Sequence, residues 1–405
     1  MPLLPGRLRR QPVLRAFDAG KLRRRVAQGL MCLLFGTATQ LSDEPLPEAG
    51  IYRVVICRVS HALGNSLLLT PLIQELESIW PGAEIDIITR SQASAAIYGN
   101  YDNVNRVFQL PAHGVGHPRQ WLGVMRGMRK THYDLAIDPD PQSQTGRLFL
   151  RMAKATYKLG FSSPAKTGSV THAVAVPGDV LNNGQRPVFL LRRALGRADA
   201  ASAYPVPDIR LDDAETAWGR QTLGRLFPMP QAPARRRRTV GIFANATGPK
   251  LLGQDWWTRF TDTLEARCPE CRLLEVIPMF GRSMLGSRYP AYYSSDLRKL
   301  ASVLAALDAY VSLDCGIMHL ACASHVPTLG IFTTTSAAEW GPYGPGNHVV
   351  QASGMPPETT ALHVAAIIEA DAGAAVAGAW EGGARRHALA ALAGIGAPAG
   401  AQERP

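Results

Sequence analysis

Residues 58 to 73 read RVSHALGNSLLLTPLI, where an apolar strand breaks into His-Ala-Leu-Gly-Asn-Ser before an apolar helix. Gly64 permits a tight turn, and Asn65 or Ser66 can cap the helix that carries Leu67, Leu68, Leu72 and Leu76. A strand, a Gly turn and a helix N-terminus direct free backbone N–H groups outward, which makes either a small-molecule site or an ordinary capped turn. A second stretch with chemical content runs from 312 to 347, SLDCGIMHLACASHVPTLGIFTTTSAAEWGPYGPGN. Strand AYVSL delivers Asp314 to its carboxyl end. Cys315 and Gly316 then open a helix whose first N–H groups can cradle a diphosphate, with Gly316 allowing close approach. His319 lies one turn in, either facing a cleft or packed in the core. Cys268-Pro-Glu-Cys271 has the spacing of half a zinc site, but no second pair lies at a fitting distance, so no metal is expected.

The elements that must hold these groups alternate from residue 50 onward. IYRVVIC, AEIDIIT (83–89), VNRVFQL (104–110) and YDLAID (133–138) read as strands, with helical stretches between them, one around 121–129. Weaker segments follow through KLGF (158–161) and THAVAVP. FPMPQAPARRRR (227–238), rich in Pro and Arg and without periodicity, reads as an interdomain linker. TVGIFA (239–244) restarts the alternation, followed by a helix over 255–267, strand RLLEVIP, a helix over 295–306, AYVSL, a helix over 316–323 and TLGIF (328–332). The expected organisation is a basic arm at 1–49, an α/β domain at 50–226, the linker, a second α/β domain at 239–370, and an Ala/Gly-rich tail at 371–405 with a short helix near 385–392. Two doubly wound halves leave a cleft between the carboxyl edges of their sheets, where ligands bind.

With 405 residues, two domains are the default, and 46% apolar with 19% charged residues describes a soluble globular chain. No run of about 18 apolar residues exists that would span a bilayer. GLMCLLFG (29–36) after three arginines faintly resembles a signal peptide, but it is short, and the chain otherwise reads cytosolic. The formal net charge of +11 is concentrated: residues 1–40 hold eight Lys or Arg against Asp18 alone. Leu22, Val26, Leu30 and Leu33 recur beside those arginines, which suits a basic amphipathic helix on an anionic membrane surface or a solvated tail. Without an aromatic-rich basic patch, nucleic acid is not an expected partner. The six cysteines, scattered and several of them in apolar elements, fit reduced buried thiols.

The motifs RVSHALGNSLLLTPLIQEL, PGAEIDIIT, YDLAIDPDPQSQTGRLFLRMAKATYKLGF, SLDCGIMHLACASHVPT and the segment ending WGPYGP together resemble glycosyltransferase family 9, the ADP-heptose:lipopolysaccharide heptosyltransferases, over roughly residues 51 to 350. The resemblance implies the GT-B architecture, two facing Rossmann-like domains, with the donor on the second and the acceptor on the first. It also implies that Lys250, in NATGPKLLGQDWW, contacts the donor phosphate. A lysine on a strand-to-helix loop suits that role physically, as a point charge for a leaving diphosphate. Asp314 matches the family residue that faces the donor sugar, and Cys315, Gly316 and Ile317 match the backbone that holds phosphate, with His319 beside them on the donor side. Gly64 and Ser66 fall in the acceptor-side loop.

Asn65 stands where well-known members have an Asp thought to take the acceptor proton, and an amide is not basic. His61, Asp138 and Asp140 are the candidate substitutes. The family's G-P-T-D-P is here Thr333-Thr334-Thr335-Ser336-Ala337, and EVIPMFGRSMLGSRYPAYYSSDLRKL replaces a longer segment near the nucleoside, so base contacts differ. The reading is a cytoplasmic, membrane-associated, inverting glycosyltransferase of cell-envelope biosynthesis. It would use a nucleotide-sugar donor with ADP-heptose first in line, a glycolipid or oligosaccharide acceptor, and no cofactor or metal. The alternative is a non-catalytic GT-B protein that binds a nucleotide or glycan.

Overall fold

The computed structural model describes residues 41–111, 117–162, 169–179, 181–197, 203–228 and 237–376. The basic arm at 1–40, the centre of the Pro/Arg stretch and the helix expected near 385–392 lie outside the described residues.

The first half runs β1 (Arg53–Cys57), α1 (Leu63–Leu67), α2 (Thr70–Ile79), β2 (Glu84–Thr89), α3 (Ser94–Tyr98), β3 (Val104–Gln109), α4 (Pro118–Met128), β4 (Tyr133–Asp138), α5 (Gln144–Met152), β5 (Ala155–Ser162), β6 (His172–Ala175) and α6 (Gln185–Ala194). After α7 (Asp213–Leu226), the second half runs β7 (Arg238–Phe243), a 3-10 turn at Gly248–Lys250, α8 (Gln254–Arg267), β8 (Cys271–Val276), β9 (Ala291–Tyr292), α9 (Leu297–Ala305), β10 (Ala309–Leu313), α10 (Gly316–Ala323), β11 (Thr328–Phe332), α11 (Ala337–Trp340), β12 (His348–Gln351) and α12 (Pro357–Val376). The strands form two six-stranded sheets, in the orders β3-β2-β1-β4-β5-β6 and β12-β11-β10-β7-β8-β9. Every pairing within them is parallel.

A parallel sheet covered on both faces needs strands that are apolar throughout, and β10 and β11 are buried at every residue. In the first half, Val54, Ile56, Ile85 and Ile87 face α2 and α6, while Val55, Cys57 and Ile88 face α4 and α5. The strand order reverses between β1 and β4 in the first sheet and between β7 and β10 in the second. Chains leaving neighbouring strands there turn to opposite faces and open a crevice at the carboxyl edge. Topology alone therefore selects four loops, those after β1, β4, β7 and β10.

Three local expectations are corrected. The helix after β1 is two helices: Pro71 sits in the first turn of α2, where its missing N–H is harmless but continuing α1 through it is not. Neither Asn65 nor Ser66 is a cap. Ala62 holds that position without a side-chain bond, and Ser66 Oγ donates to its carbonyl at 3.3 Å from inside α1. Gly64 is likewise a helical residue and makes no turn. In the second half, α12 continues through the expected tail boundary at 371 to Val376.

Chain segment 203–212 straps the halves together. Thr70, Gln74 and Tyr101 of the first half bond its backbone at 2.8–3.0 Å. From the second half, Tyr343 donates to Pro205 O at 3.0 Å, and Ile209 N–H donates to Ala323 O at 2.9 Å. Arg298 adds bonds to Ala96 O at 2.7 Å and Arg210 O at 2.9 Å. α7, which precedes the Pro/Arg stretch in sequence, packs on α9. A Cβ at Gly219 would lie 1.9 Å from Ser302 O, so no other residue fits there.

Candidate active site

The loops of the second sheet selected by topology carry a closed polar cluster. The 3-10 turn after β7 places Lys250 so that its Nζ donates to Asp314 Oδ2 at 3.1 Å, and Thr335 Oγ1 donates to the same oxygen at 2.7 Å. Asp314, at the end of β10, is 6% exposed. Behind it Cys315 takes the N-cap position of α10 in extended backbone, with Ser312 Oγ 3.3 Å from its Sγ. Burial pushes that thiol above its ordinary value, so it is no thiolate nucleophile. The first amides of α10, at Gly316 and Ile317, thus begin beside the Lys250–Asp314 ion pair.

Gly316 and Gly64 have a role that sequence reading did not give them. A Cβ on Gly316 would sit 3.1 Å from Leu63 Cβ and 3.4 Å from Gly64 N, and one on Gly64 would sit 2.7 Å from His319 Cδ2. The close approach is that of α1 to α10, helix on helix across the two halves. His319 is 3% exposed within this contact, and burial pushes its pKa down to about 4, with Asp314 and Lys250 close enough to act on it. It is neutral at pH 7.

The loops after β1 and β4 are less complete. Asn65 Nδ2 donates to Ser60 Oγ at 2.9 Å, but its Oδ1 is buried with no partner among the described residues. Arg58, at the end of β1, is 8% exposed; its Nε is also unpartnered, and its Nη1 is 3.5 Å from Asp140 Oδ2. Of the candidate bases, Asp138 is fully buried and holds Arg147 Nε at 3.1 Å, which removes it from contact with a substrate hydroxyl. Asp140 is partly exposed and accepts from the Gln142 and Ser143 amides at 2.8 and 3.0 Å. His61 is exposed on the loop before α1.

Two positions escaped sequence reading. Thr335 appeared only as a departure from a motif, yet it completes the Asp314 cluster. Glu275, fully buried on β8, accepts from Ser283 Oγ at 2.6 Å, Met284 N at 2.6 Å and Leu285 N at 3.0 Å, and so organises the short loop that follows. A carboxylate inside the apolar run RLLEVIP was the available signal, because a buried charge demands partners. Cys268, Glu270 and Cys271 bring ligand atoms within 4.8 Å of one another, but at the amino end of β8, the edge away from the crevice.

The comparisons agree with this geometry. Residues 294–363, which include Asp314, α10 and Thr335, match the model for glycosyltransferase family 9 (heptosyltransferase). Among solved structures, the chain is similar to a glycosyltransferase family 9 protein of Veillonella parvula, at 15% identity and TM-score 0.62, covering 75% of this chain and 86% of that one. It is similar to the heptosyltransferase WaaC of E. coli with ADP, at 19% identity and TM-score 0.58, covering 78% and 99%. ADP-heptose lps heptosyltransferase II of E. coli is similar at 16% identity and TM-score 0.59, covering 79% and 99%. The chain is similar to glycosyltransferase family 9 and has the GT-B fold. No curated protein sequence matches it. No helix among the described residues is long and apolar enough to cross a membrane.

Proposed function

We propose that this protein is an inverting, metal-independent glycosyltransferase that moves a sugar from a nucleoside-diphosphate donor to a glycan or glycolipid acceptor, with ADP-heptose the first donor to try. The observation that carries the reading is the Lys250–Asp314–Thr335 cluster at the head of α10, set at one switch point and packed through α1 against the other. The acceptor oxygen attacks the anomeric carbon from the face opposite the diphosphate. As the bond between that carbon and the phosphate oxygen breaks, the departing charge is met by Lys250 and the first amides of α10. Asp140 takes the proton of the attacking hydroxyl, with Arg58 Nη1 3.5 Å away to orient the carboxylate. The ADP bound in the WaaC structure supports an adenine donor.

Thermal unfolding in the presence of ADP, UDP, GDP or CMP tests the donor, since a ligand bound only to the native state raises the midpoint. The expected result is a rise with ADP that Lys250→Ala abolishes. A rise with another nucleotide replaces the donor, and a rise that survives Lys250→Ala removes that residue from the site. Asn65 supports a second reading, a GT-B protein that binds without turnover. ADP release from ADP-heptose that requires an acceptor would dismiss it.

A further inference from the structure

α4 and α5 cover one face of the first sheet. Residues 111–133 and 141–162 hold eight Lys or Arg and no Asp or Glu. Arg119, Arg126, Arg129, Lys130 and Lys154 are exposed, and none of the five has an ion pair among the described residues. Leu122 stands among them, 46% exposed. The two helices form one surface: Trp121 meets Phe149 at 5.4 Å between ring centroids, and Arg129 Nη1 donates to Met152 O at 3.2 Å, seating the end of α4 on the end of α5. Beneath them Lys158 is held below the usual lysine value by burial first, with Arg151 and Arg129 adding to it. On α8, by contrast, the exposed arginines are answered: Arg259 pairs with Glu358 at 2.7 Å and Arg267 with Glu369 at 3.5 Å.

We propose that the outer face of α4, with the adjoining end of α5, docks the protein on an anionic lipid bilayer. Unpaired cations around an apolar side chain suit the boundary between charged headgroups and acyl chains, where the leucine enters and the cations stay at the phosphates. A purely solvated face has no use for Leu122, and a nucleic acid site would call for stacking rings. α4 and α5 both start at the carboxyl edge that carries Asp140, so docking brings the acceptor-side loops up to the membrane. The surface lies outside residues 1–40 of the sequence, and binding through it needs neither donor nor turnover, so it can be tested whatever becomes of the transferase reading.

The test is sedimentation of the full chain with phosphatidylglycerol-containing vesicles and with pure phosphatidylcholine vesicles. The protein is expected to sediment with the former and, as salt rises, to be released. One basic residue near such a surface strengthens binding about fivefold, so Arg126→Glu with Lys130→Glu should weaken it at least about tenfold. Arg126→Gln with Lys130→Gln should give a smaller loss of the same sign, and Leu122→Asp a further one. Arg220→Glu with Arg225→Glu on the outer face of α7 should leave binding unchanged, and equal unfolding midpoints establish that the variants fold. The proposal is overturned if the α4 variants bind like wild type while Arg23→Glu, Arg24→Glu and Arg25→Glu together abolish binding. Equal binding to neutral vesicles overturns it too, as does a loss confined to a soluble polyanion such as heparin.

Discussion

The two carboxyl edges are built by the same topology and finished differently. On the second sheet, Asp314 is satisfied by Lys250 and Thr335, and Glu275 by Ser283 and two backbone amides, so both carboxylates are partnered before any ligand arrives. On the first, Arg58 Nε and Asn65 Oδ1 are buried without partners, and Arg58 meets Asp140 only at 3.5 Å. Native proteins rarely leave buried polar atoms unpaired, since each costs roughly 1–3 kcal/mol. The difference teaches that the protein itself holds the carboxylates of the second edge, while the first edge leaves Arg58 and Asn65 with hydrogen-bonding capacity that a ligand can take up.

The contrast can be broken experimentally, and the largest effect belongs to the first edge. If Asp140 takes the proton, Asp140→Asn lowers turnover by about 10²–10⁴-fold with donor binding intact, while His61→Gln changes it little. Single-turnover rates decide between them, and the opposite result moves the base to His61. Next comes the second edge: if Lys250 meets the charge that grows as the bond breaks, Lys250→Ala should cost about 10²–10³-fold in turnover as well as donor affinity.

Between the edges, His319 gives a pH signature. An unfolded histidine binds its proton near 6.5 and this buried one only near 4, so the unfolded state carries more protons in that window and stability falls as pH is lowered through it, by up to about 3 kcal/mol. His325 works in the opposite sense, its pKa raised by its hydrogen bond to Asp208, so the readout is the difference between wild type and His319→Gln in unfolding midpoints from pH 7 to pH 4.5. An identical slope in both proteins would mean that His319 is not buried between the helices.

Smaller effects sharpen the comparison. Gly64→Ala sets a methyl 2.7 Å from the His319 ring and should cost about 1–3 kcal/mol, with a looser contact between the halves visible in small-angle scattering. Thr335→Val removes one donor to Asp314 and should cost about 1 kcal/mol in donor binding or stability. No change in either would show that Lys250 alone orders the cluster.

Much of this was legible in the sequence. β-branched and aliphatic runs with Gly-bearing loops marked most strands of both sheets, and the 316–323 helix and the TLGIF strand fall where read, because the burial of a parallel strand leaves a continuous apolar signature; the short edge strands β9 and β12, not buried throughout, went unread. Other elements left weaker traces. α6 has no polar cap to mark its start, and α7 shows its capping box, Asp212 with Glu215, but spreads its apolar residues too thinly for a clear stripe. The position of Lys250 and Asp314 at neighbouring strand ends was available from motif and alternation together.

What the sequence determined by itself is local: which segments are strands, where Asp314 leaves its strand, and that Asn65 cannot be a base. The tertiary structure decided which loops share a crevice, since the reversal of strand order is a property of pairing between distant segments. It also decided what the glycines are for. Gly64 and Gly316 read as a turn and a ligand contact, and both roles are local guesses about residues whose freedom is to be small. Only with α1 against α10 does it emerge that the missing side chains let two helices touch, because a steric requirement is set by the partner surface and the partner lies some 250 residues away.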